Sequence, residues 1–577
     1  MLHVHEQGAV AATPRVKEIV FHVTCALIAS HGLAPDLAWA LDAVVDGRTD
    51  TRITQQGVAN VFDISTNTRL GNGNALNSFS RFNVGSGEIA NLHVPLDAPA
   101  LINLVRDQKT TVAGMLNAVK DGKIGGKIYF ANPHGFVVSS SGVVNVGSLH
   151  VSTPTQQFVD DFFDAPGGAD ASAARLVAGT APRNTASRID IEGRINATEQ
   201  ASLSAGTITV AGKVFTGAKF TGTSPAFQDV VNIQGLDAGA ALQANQGRIE
   251  IVGDAAIAVS GTLSSRRVAE NQSPELLAEP SIAASGDIAL DAPRITISGG
   301  KVLAAGSNGH AGGDVGLNAH AAGGSPDALS DTMARIALTD ATLTGKDLTL
   351  NAQAAHDSSL APVVSKTVSA SVSIDSSTLT ASGAATVDAR SSADISTPDF
   401  VPFATLDVDV AATVAVSGNS RLGSAADTQL SATTTSNLEA HPGLPDFGAQ
   451  PGDAGVAIVI HNSTATVDVA GTSEVGSSNG RADLAATNVS LIDAEVDASA
   501  TGESAVGGAV ATSVLNSTTR ARVADNAKLS GKTGVGVVAQ SVTLARTVAR
   551  AAAGGATELG EDVKIDDETA LKLLRIS

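Results

Sequence analysis

Cysteine, tryptophan and tyrosine each occur once in 577 residues, and aromatic residues make up only 3% of the chain. The one thiol, Cys25, supports neither a disulfide framework nor a multi-cysteine metal site, which suits passage through an oxidising compartment. Hydrophobic residues nevertheless reach 43%, so the core is expected to be narrow and regular, filled by Ala, Val and Thr rather than Phe and Trp. Charge is sparse and one-sided, with 57 acids against 37 Lys and Arg and a net charge of −20. No cluster of basic residues is present to hold a phosphate backbone, which argues against nucleic-acid binding. An acidic surface keeps a long particle soluble instead.

Long apolar runs are missing as well. Residues 19–29 are apolar apart from His22 and Thr24, too short a stretch to span a membrane stably. Arg15 and Lys17 precede this run, Glu18 opens it, and Ala38-Trp39-Ala40 follows. Basic flank, apolar stretch and small-residue site read as a signal peptide over residues 1–40 cut near Ala38 and Ala40, with a retained anchor as the alternative.

What the chain does have is strand and corner. In residues 124–154 short β-branched and aromatic runs (Ile128, Tyr129, Phe130; Phe136, Val137, Val138; Val143, Val144, Val146) are broken by Asn132-Pro133-His134-Gly135 and by Ser-Gly and Val-Gly pairs. Pro133 fixes φ and removes a donor, Gly135 can take positive φ, and Asn132 can bond its own backbone, so the chain turns sharply and resumes as strand. Such a run reads as consecutive coils of a wound sheet. Before it, Ile53, Val61, Phe62 and Ile64 mark early strands, and Leu76, Phe79, Phe82 and Val84 supply bulky groups suited to cap the open end of a stack.

These residues carry a resemblance. Ala75-Leu76-Asn77-Ser78-Phe79-Ser80-Arg81-Phe82, Asn91-Leu92-His93-Val94-Pro95, Leu101-Ile102-Asn103-Leu104-Val105, Leu116-Asn117-Ala118, Ile124-Gly125-Gly126 and Asn132-Pro133-His134-Gly135 follow one another in this order. The set resembles the N-terminal secretion domain of two-partner-secretion exoproteins of the filamentous-haemagglutinin group, and within it the leukotoxin-type filamentous adhesins. The family's Asn-Pro-Asn-Leu element is reduced here to Ala90-Asn91-Leu92, and His134 stands where the wider group often has Asn. The resemblance implies a right-handed parallel β-helix, export through an outer-membrane partner transporter, and transporter recognition or corner roles for Asn91, Leu92, Asn132, Pro133, His134 and Gly135.

Beyond Pro154, Phe158, Phe162 and Phe163 suit one amphipathic helix on the side of the stack, followed by an Ala/Gly/Pro-rich loop. From Arg188 short strands return as RIDIEG, ITVAGKVF, VVNIQG, RIEIVG and AIAVSG, at a spacing that suits coils of roughly 20 residues. Residues 264–280 form a charged loop, after which Ile288, Leu290, Ile295, Ile297, Ile336, Leu338, Leu343, Leu348 and Leu350 repeat the strand scheme. The clearest repeat lays Asn462-Ser463-Thr464 on Asn516-Ser517-Thr518, 54 residues later, with weaker copies near Val363 and Ala404. That period corresponds to about two and a half coils of ordinary length. Similar repeats occur in the passengers of the leukotoxin-type adhesins. Residues 439–455 form a Pro/Gly loop, and residues 556–577 an acidic tail or short helix. Some twenty or more coils at about 4.8 Å each give a rod on the order of 100 Å long.

A β-helix can also be a carbohydrate enzyme, which needs grouped carboxylates and a basic partner. Asp160, Asp161 and Asp164 are the densest early acids but have no evident basic partner, and read as a solvated face. His310 and His320 flank a Gly-rich stretch and read as solvated loop residues rather than metal ligands. The expected chain is therefore all-β, a right-handed parallel β-helix with an N-terminal cap and extra-helical insertions. Its expected parts are a signal peptide (1–40), a secretion domain (41–280), a repeat rod (281–555) and a tail (556–577). The expected function is that of a secreted filamentous adhesin without catalytic residues, metal or cofactor, with an outer-membrane transporter as partner, an unidentified host receptor and no stable membrane insertion. A cytolysin of the same secretion class and, less favoured, a β-helical carbohydrate enzyme are the alternatives.

Overall fold

The structure is a computed structural model that describes residues 41–57, 60–217, 247–266, 284–306, 309–323, 331–359, 362–398, 401–442, 452–500 and 506–552. Cys25 and the cleavage positions Ala38 and Ala40 lie outside the described residues. So do the expected VVNIQG strand, most of the 264–280 and 439–455 loops, and the 556–577 tail.

The chain winds as a parallel β-helix with three faces. One column of the first face runs unbroken through thirteen positions: Ala75, Leu101, Ile128, Leu149, Ala201, Ile249, Ile288, Val315, Leu348, Ala385, Thr428, Ala482 and Val535, each in register with the next. Among the described residues, thirteen rungs at about 4.8 Å make a stack of roughly 60 Å, against the 100 Å expected from sequence. The coils are fewer because they are longer. From Val315 onward, successive rungs of this column are 33, 37, 43, 54 and 53 residues apart.

The lengthening is confined to two faces. On the first, strands grow from Ile288–Asp291 (4 residues) to Leu348–Ser358 (11) and Gly534–Ala552 (19). On the second they grow from Arg294–Ser298 (5) to Val363–Asp375 (13) and Val506–Val523 (18). The third stays short, from Lys301–Leu303 (3) to Lys528–Gly531 (4). The stack thus passes from a three-sided prism to two long sheets facing each other across a narrow interior. A hydrogen bond between His461 on the second face and Ser490 on the first, 3.2 Å between Nε2 and Oγ, spans that interior. The 54-residue repeat is therefore one coil, because Asn462 and Asn516 are direct register partners on adjacent strands. The weaker copies near Val363 and Ala404 are earlier rungs of the same face.

Core composition follows the geometry. In the N-terminal prism the rings of Phe79, Phe82, Phe130 and Phe136 form a tilted chain with centroids 5.1, 5.6 and 5.3 Å apart, all fully buried. Where the two sheets face each other the buried positions are Ala352, Ala354, Ala389, Ala432, Ala486 and Ala494, interleaved with Val and Leu. Sequence alternation selects them: Leu348–Ser358 buries every second residue, as a half-buried strand must.

The N-terminal end is closed by antiparallel pairs. Ala43–Val45 runs against Ala75–Val84, and Thr51–Gln55 against Val61–Thr66, which takes the first rungs out of edge exposure. The insertion after Pro154 holds two helices rather than one helix and a loop: α1 (Gln156–Asp160), capped by Thr155, and α2 (Gly168–Val177). Ala-rich composition favours helix, so the small-residue stretch folds where sequence reading placed a loop. Phe158, Phe162, Ala173 and Leu176 cover an outward apolar column of the first face that includes Leu76, Ile102 and Tyr129. His320 likewise sits on a strand, Val315–Gly323, and not on a loop.

Ala486 is fully buried between the facing sheets. Ala486→Leu is expected to overpack this interior and cost about 1–3 kcal/mol, measured as a lowered midpoint of denaturant unfolding.

Candidate functional site

The residues singled out from sequence fall on two adjoining features of the N-terminal prism, a corner and an asparagine ladder. The corner is 132–135. Asn132 is fully buried, and its Nδ2 donates to the carbonyl of Gln108 and to Thr110 Oγ1, both at 2.9 Å, while its Oδ1 accepts from the His134 amide at 2.9 Å. Pro133 is buried and its carbonyl accepts from Asn184 Nδ2 at 2.8 Å. His134 is exposed, with Nε2 3.0 Å from the Arg106 carbonyl. Gly135 has φ +104°, and a Cβ there would stand 2.4 Å from the Arg188 carbonyl oxygen, so only glycine lets the next coil pass.

Asn91 belongs to the ladder. Its Nδ2 donates to Asp63 Oδ1 (3.1 Å), and in turn Asn117 donates to Asn91 (3.0 Å), Asn145 to Asn117 (2.9 Å) and Asn196 to Asn145 (2.9 Å). Arg194 Nε closes the far end on Asn196 Oδ1 at 2.7 Å. Each amide gives one hydrogen and receives another, so a column of buried polar groups is satisfied along the stack axis. At the near end burial opposes ionisation of Asp63. Hydrogen bonds from His93, Gln56 and Asn91 nevertheless outweigh it and hold the carboxyl below its ordinary range. A second, shorter ladder runs Thr51, Asn77, Asn103 to the Tyr129 carbonyl. Leu92, next to Asn91, points into the core and is fully buried.

Sequence reading found Asn91 and Asn132 but missed that Asn117, Asn145 and Asn196 continue the Asn91 column. The signal was present as asparagines separated by 26 and 28 residues, one coil each. It is invisible without the coil lengths.

Between α2 and the first face lies a cavity of about 390 Å³ lined by Tyr129, His150, Ser152, Gln200, Ser202 and Glu250, among others. Tyr129 stacks on His150 with centroids 4.4 Å apart and planes 11° from parallel. Burial, and secondarily the nearby Lys127 charge, depress His150 to about 4, and its Nε2 has no hydrogen-bond partner. Burial also raises the Tyr129 hydroxyl above its ordinary value.

The carboxylates Asp160, Asp161 and Asp164 do not gather into an acid/base pair. Asp160 meets Arg106 at 3.3 Å, Asp161 accepts from Gln157, and Asp164 lies 3.9 Å from Arg48, so the basic partners of Asp160 and Asp164 that sequence did not reveal come from a coil and from the N-terminal cap. His310 and His320 are both exposed. Further along, His441, Asp493 and Glu495 bring one ligand atom each within 4.8 Å of one another. Arg546 bridges Asp493 and Glu495, and Arg550 reaches Glu495 at 2.6 Å, so these carboxylates are charge-matched by arginine. Among the described residues no helix is long and apolar enough to cross a membrane.

No family model matches the chain, and no curated protein does. Among solved structures, the crystal structure of the HMW1 secretion domain from Haemophilus influenzae aligns at 12% sequence identity and a TM-score of 0.26, over 88% of this chain and 99% of that chain.

Because His150 titrates near 6.5 when unfolded and about 4 when folded, protons bind the unfolded chain preferentially between these values. Stability is therefore expected to fall as pH drops from about 6.5 to about 4, by an amount on the order of 3 kcal/mol for this residue. His150→Phe, which keeps a ring against Tyr129 and cannot titrate, is expected to flatten that part of the pH profile in thermal melts.

Proposed function

We propose that the chain is an exoprotein of the two-partner-secretion class, exported through an outer-membrane transporter, whose widening β-helical stack serves as a filamentous adhesin at the cell surface or in the medium. One observation carries the reading. The ordered motif residues, from Ala75–Val84 through Asn91 and Leu92 to Asn132–Gly135, fall on successive rungs of one stack directly after its antiparallel cap. Such a set is expected of an N-terminal module that leads a chain out of the cell and starts its folding.

The buried state of Asn91, Leu92, Asn132 and Pro133 makes the recognition step specific. A transporter that reads them directly meets them before the coils close. Coil-by-coil folding outside the membrane then buries each set in turn, and each added coil opposes backsliding. Adhesion rather than catalysis is the reading for the stack itself: the grouped carboxylates Asp493 and Glu495 are paired with arginines, and the buried asparagines Asn91, Asn117 and Asn145 with one another. In this reading the chain is not an enzyme.

The test is release of the full chain from a Gram-negative host with and without a cognate transporter, for the parent, Asn132→Ala and Asn117→Ala. Both variants remove buried hydrogen bonds and are expected to cost about 1–3 kcal/mol in unfolding measurements on refolded protein. Transporter-dependent release of the parent, with Asn132→Ala falling at least about tenfold below Asn117→Ala at matched stability, is the expected result. Release without the transporter contradicts the export class. Loss of release that merely tracks stability in both variants removes the recognition role from the corner.

A further inference from the structure

The outer side of the first face changes character where the two helices end. Successive rungs place Ile102, Tyr129, His150, Ser202 and Glu250 in one outward column. The next column holds Leu104, Ala131, Ser152, Ser204 and Val252. Beneath Phe158, Phe162, Ala173 and Leu176 these columns are apolar. From His150 onward the same face carries imidazole, hydroxyl and carboxylate, and there the end of α2 meets it to enclose the cavity of about 390 Å³, a volume within the range of small-ligand sites.

Two rings followed by a short side chain set the shape of that space. Tyr129 covers one face of His150 at a centroid distance of 4.4 Å, and the next residue in the column is Ser202, too short to cover the other. The column drops by the depth of a ring, and His150 and Ser202 both line the space. Ser152, Gln200 and Ser204 complete a polar floor, while Leu176, Val177 and Ala181 make an aliphatic wall opposite. Among the described residues, no side chain of Ser152, Gln200, Ser202 or Ser204 is hydrogen-bonded to another residue. The buried asparagines of the ladder, in contrast, satisfy one another.

Charge narrows the occupant. Glu250 and the C-terminal, negative end of α2 both disfavour an anion. Arg183 offers it no counter-charge, because its Nε and Nη2 are spent on Asp254 at 2.9 and 2.5 Å. A cation is opposed by the Lys127 charge beside His150, and Glu250 is shared with Arg248 at 3.7 Å. A wholly apolar molecule would strip water from four polar side chains and return no hydrogen bond. A neutral ring with hydroxyls at its edge and C–H groups on its face meets every one of these conditions. The hydroxyls match serine and amide groups that both donate and accept, and the C–H face matches the negative face of an aromatic ring.

We propose that this cavity binds a neutral pyranose unit, its C–H face toward His150 and the aliphatic wall and its hydroxyls hydrogen-bonded to Ser152, Gln200, Ser202, Ser204 and Glu250. The site exists only in the folded prism. Binding to purified, refolded chain is therefore independent of whether a transporter exports it, and the export class and the sugar site stand or fall separately.

Tyr129 is the one tyrosine in the chain, so full-length protein labelled with 3-fluorotyrosine gives a single fluorine signal, and that signal comes from the cavity wall. D-glucose, D-galactose and D-mannose are titrated in turn, with glucuronate and protonated glucosamine as charged counterparts. At least one neutral hexose is expected to shift the resonance saturably with a midpoint of about 0.1–10 mM, and the charged counterparts to need at least about tenfold more. Ser202→Leu fills the step beside His150 and is expected to weaken binding at least about tenfold with an unchanged thermal melt. Ser204→Val, a smaller change in the same floor, carries the comparison where Ser202→Leu does not fold. Methyl glycosides separate the sources: binding that is retained assigns the site to the end residue of a glycan, binding that is lost assigns it to a free sugar, and either upholds a pyranose site. The absence of a saturable shift with all three hexoses overturns the proposal. So does binding that survives the substitutions unchanged, or a charged counterpart that binds more tightly than its neutral parent.

Discussion

In a parallel stack each residue lies directly over its counterpart one coil earlier, and everything else in this protein depends on that register. A side chain cannot choose its partner independently of the coil below. Polar groups directed inward must therefore form columns, and the Asp63–Asn91–Asn117–Asn145–Asn196 ladder is what a column of buried amides becomes when every donor has an acceptor beneath it. The same constraint governs charge. Coils of opposite sign lie on one another at the C-terminal end, where Asp468, Glu474 and Asp493 each meet a cation from the following coil.

Register also explains why one chain holds two kinds of core. Near the N-terminus the prism is wide in relation to its short strands, and Phe79, Phe82, Phe130 and Phe136 fill it. Further on, the third face stays at 3 to 4 residues while the other two lengthen, so the added interior lies between two close sheets. Alanine and valine fit that space and aromatics do not. The scarcity of aromatic residues and the abundance of small ones thus record the shape of the coil.

Much of this was legible in the sequence. Alternation at Ile336 and Leu338, and at Leu348 and Leu350, located strands and their buried faces, and the Asn132–Gly135 corner was readable because Pro and Gly act locally. Coil length was not readable, since runs such as LDVDVAATVAVS alternate without marking where a strand leaves one face for the next. The repeat at Asn462 and Asn516 was found and then assigned too many coils for that reason. The ladder partners of Asn91, the ion pairs of Asp160 and Asp164, and the cavity around His150 depend on which coils touch, and local pattern carries no such information.

The register of the long coils is the central claim, and a distance measures it. Asn462→Cys and Asn516→Cys, made in a Cys25→Ser background so that no other thiol competes, allow two nitroxide labels on side chains that share an outward column. Adjacent strands of one sheet are about 4.8 Å apart, so the account predicts strong dipolar broadening for the doubly labelled chain relative to either single label. Labels two or more coil spacings apart, about 10 Å or beyond, would show only the weaker dipolar broadening that falls with the inverse cube of distance, without the spin exchange of labels on adjacent strands, and would contradict a coil of 54 residues.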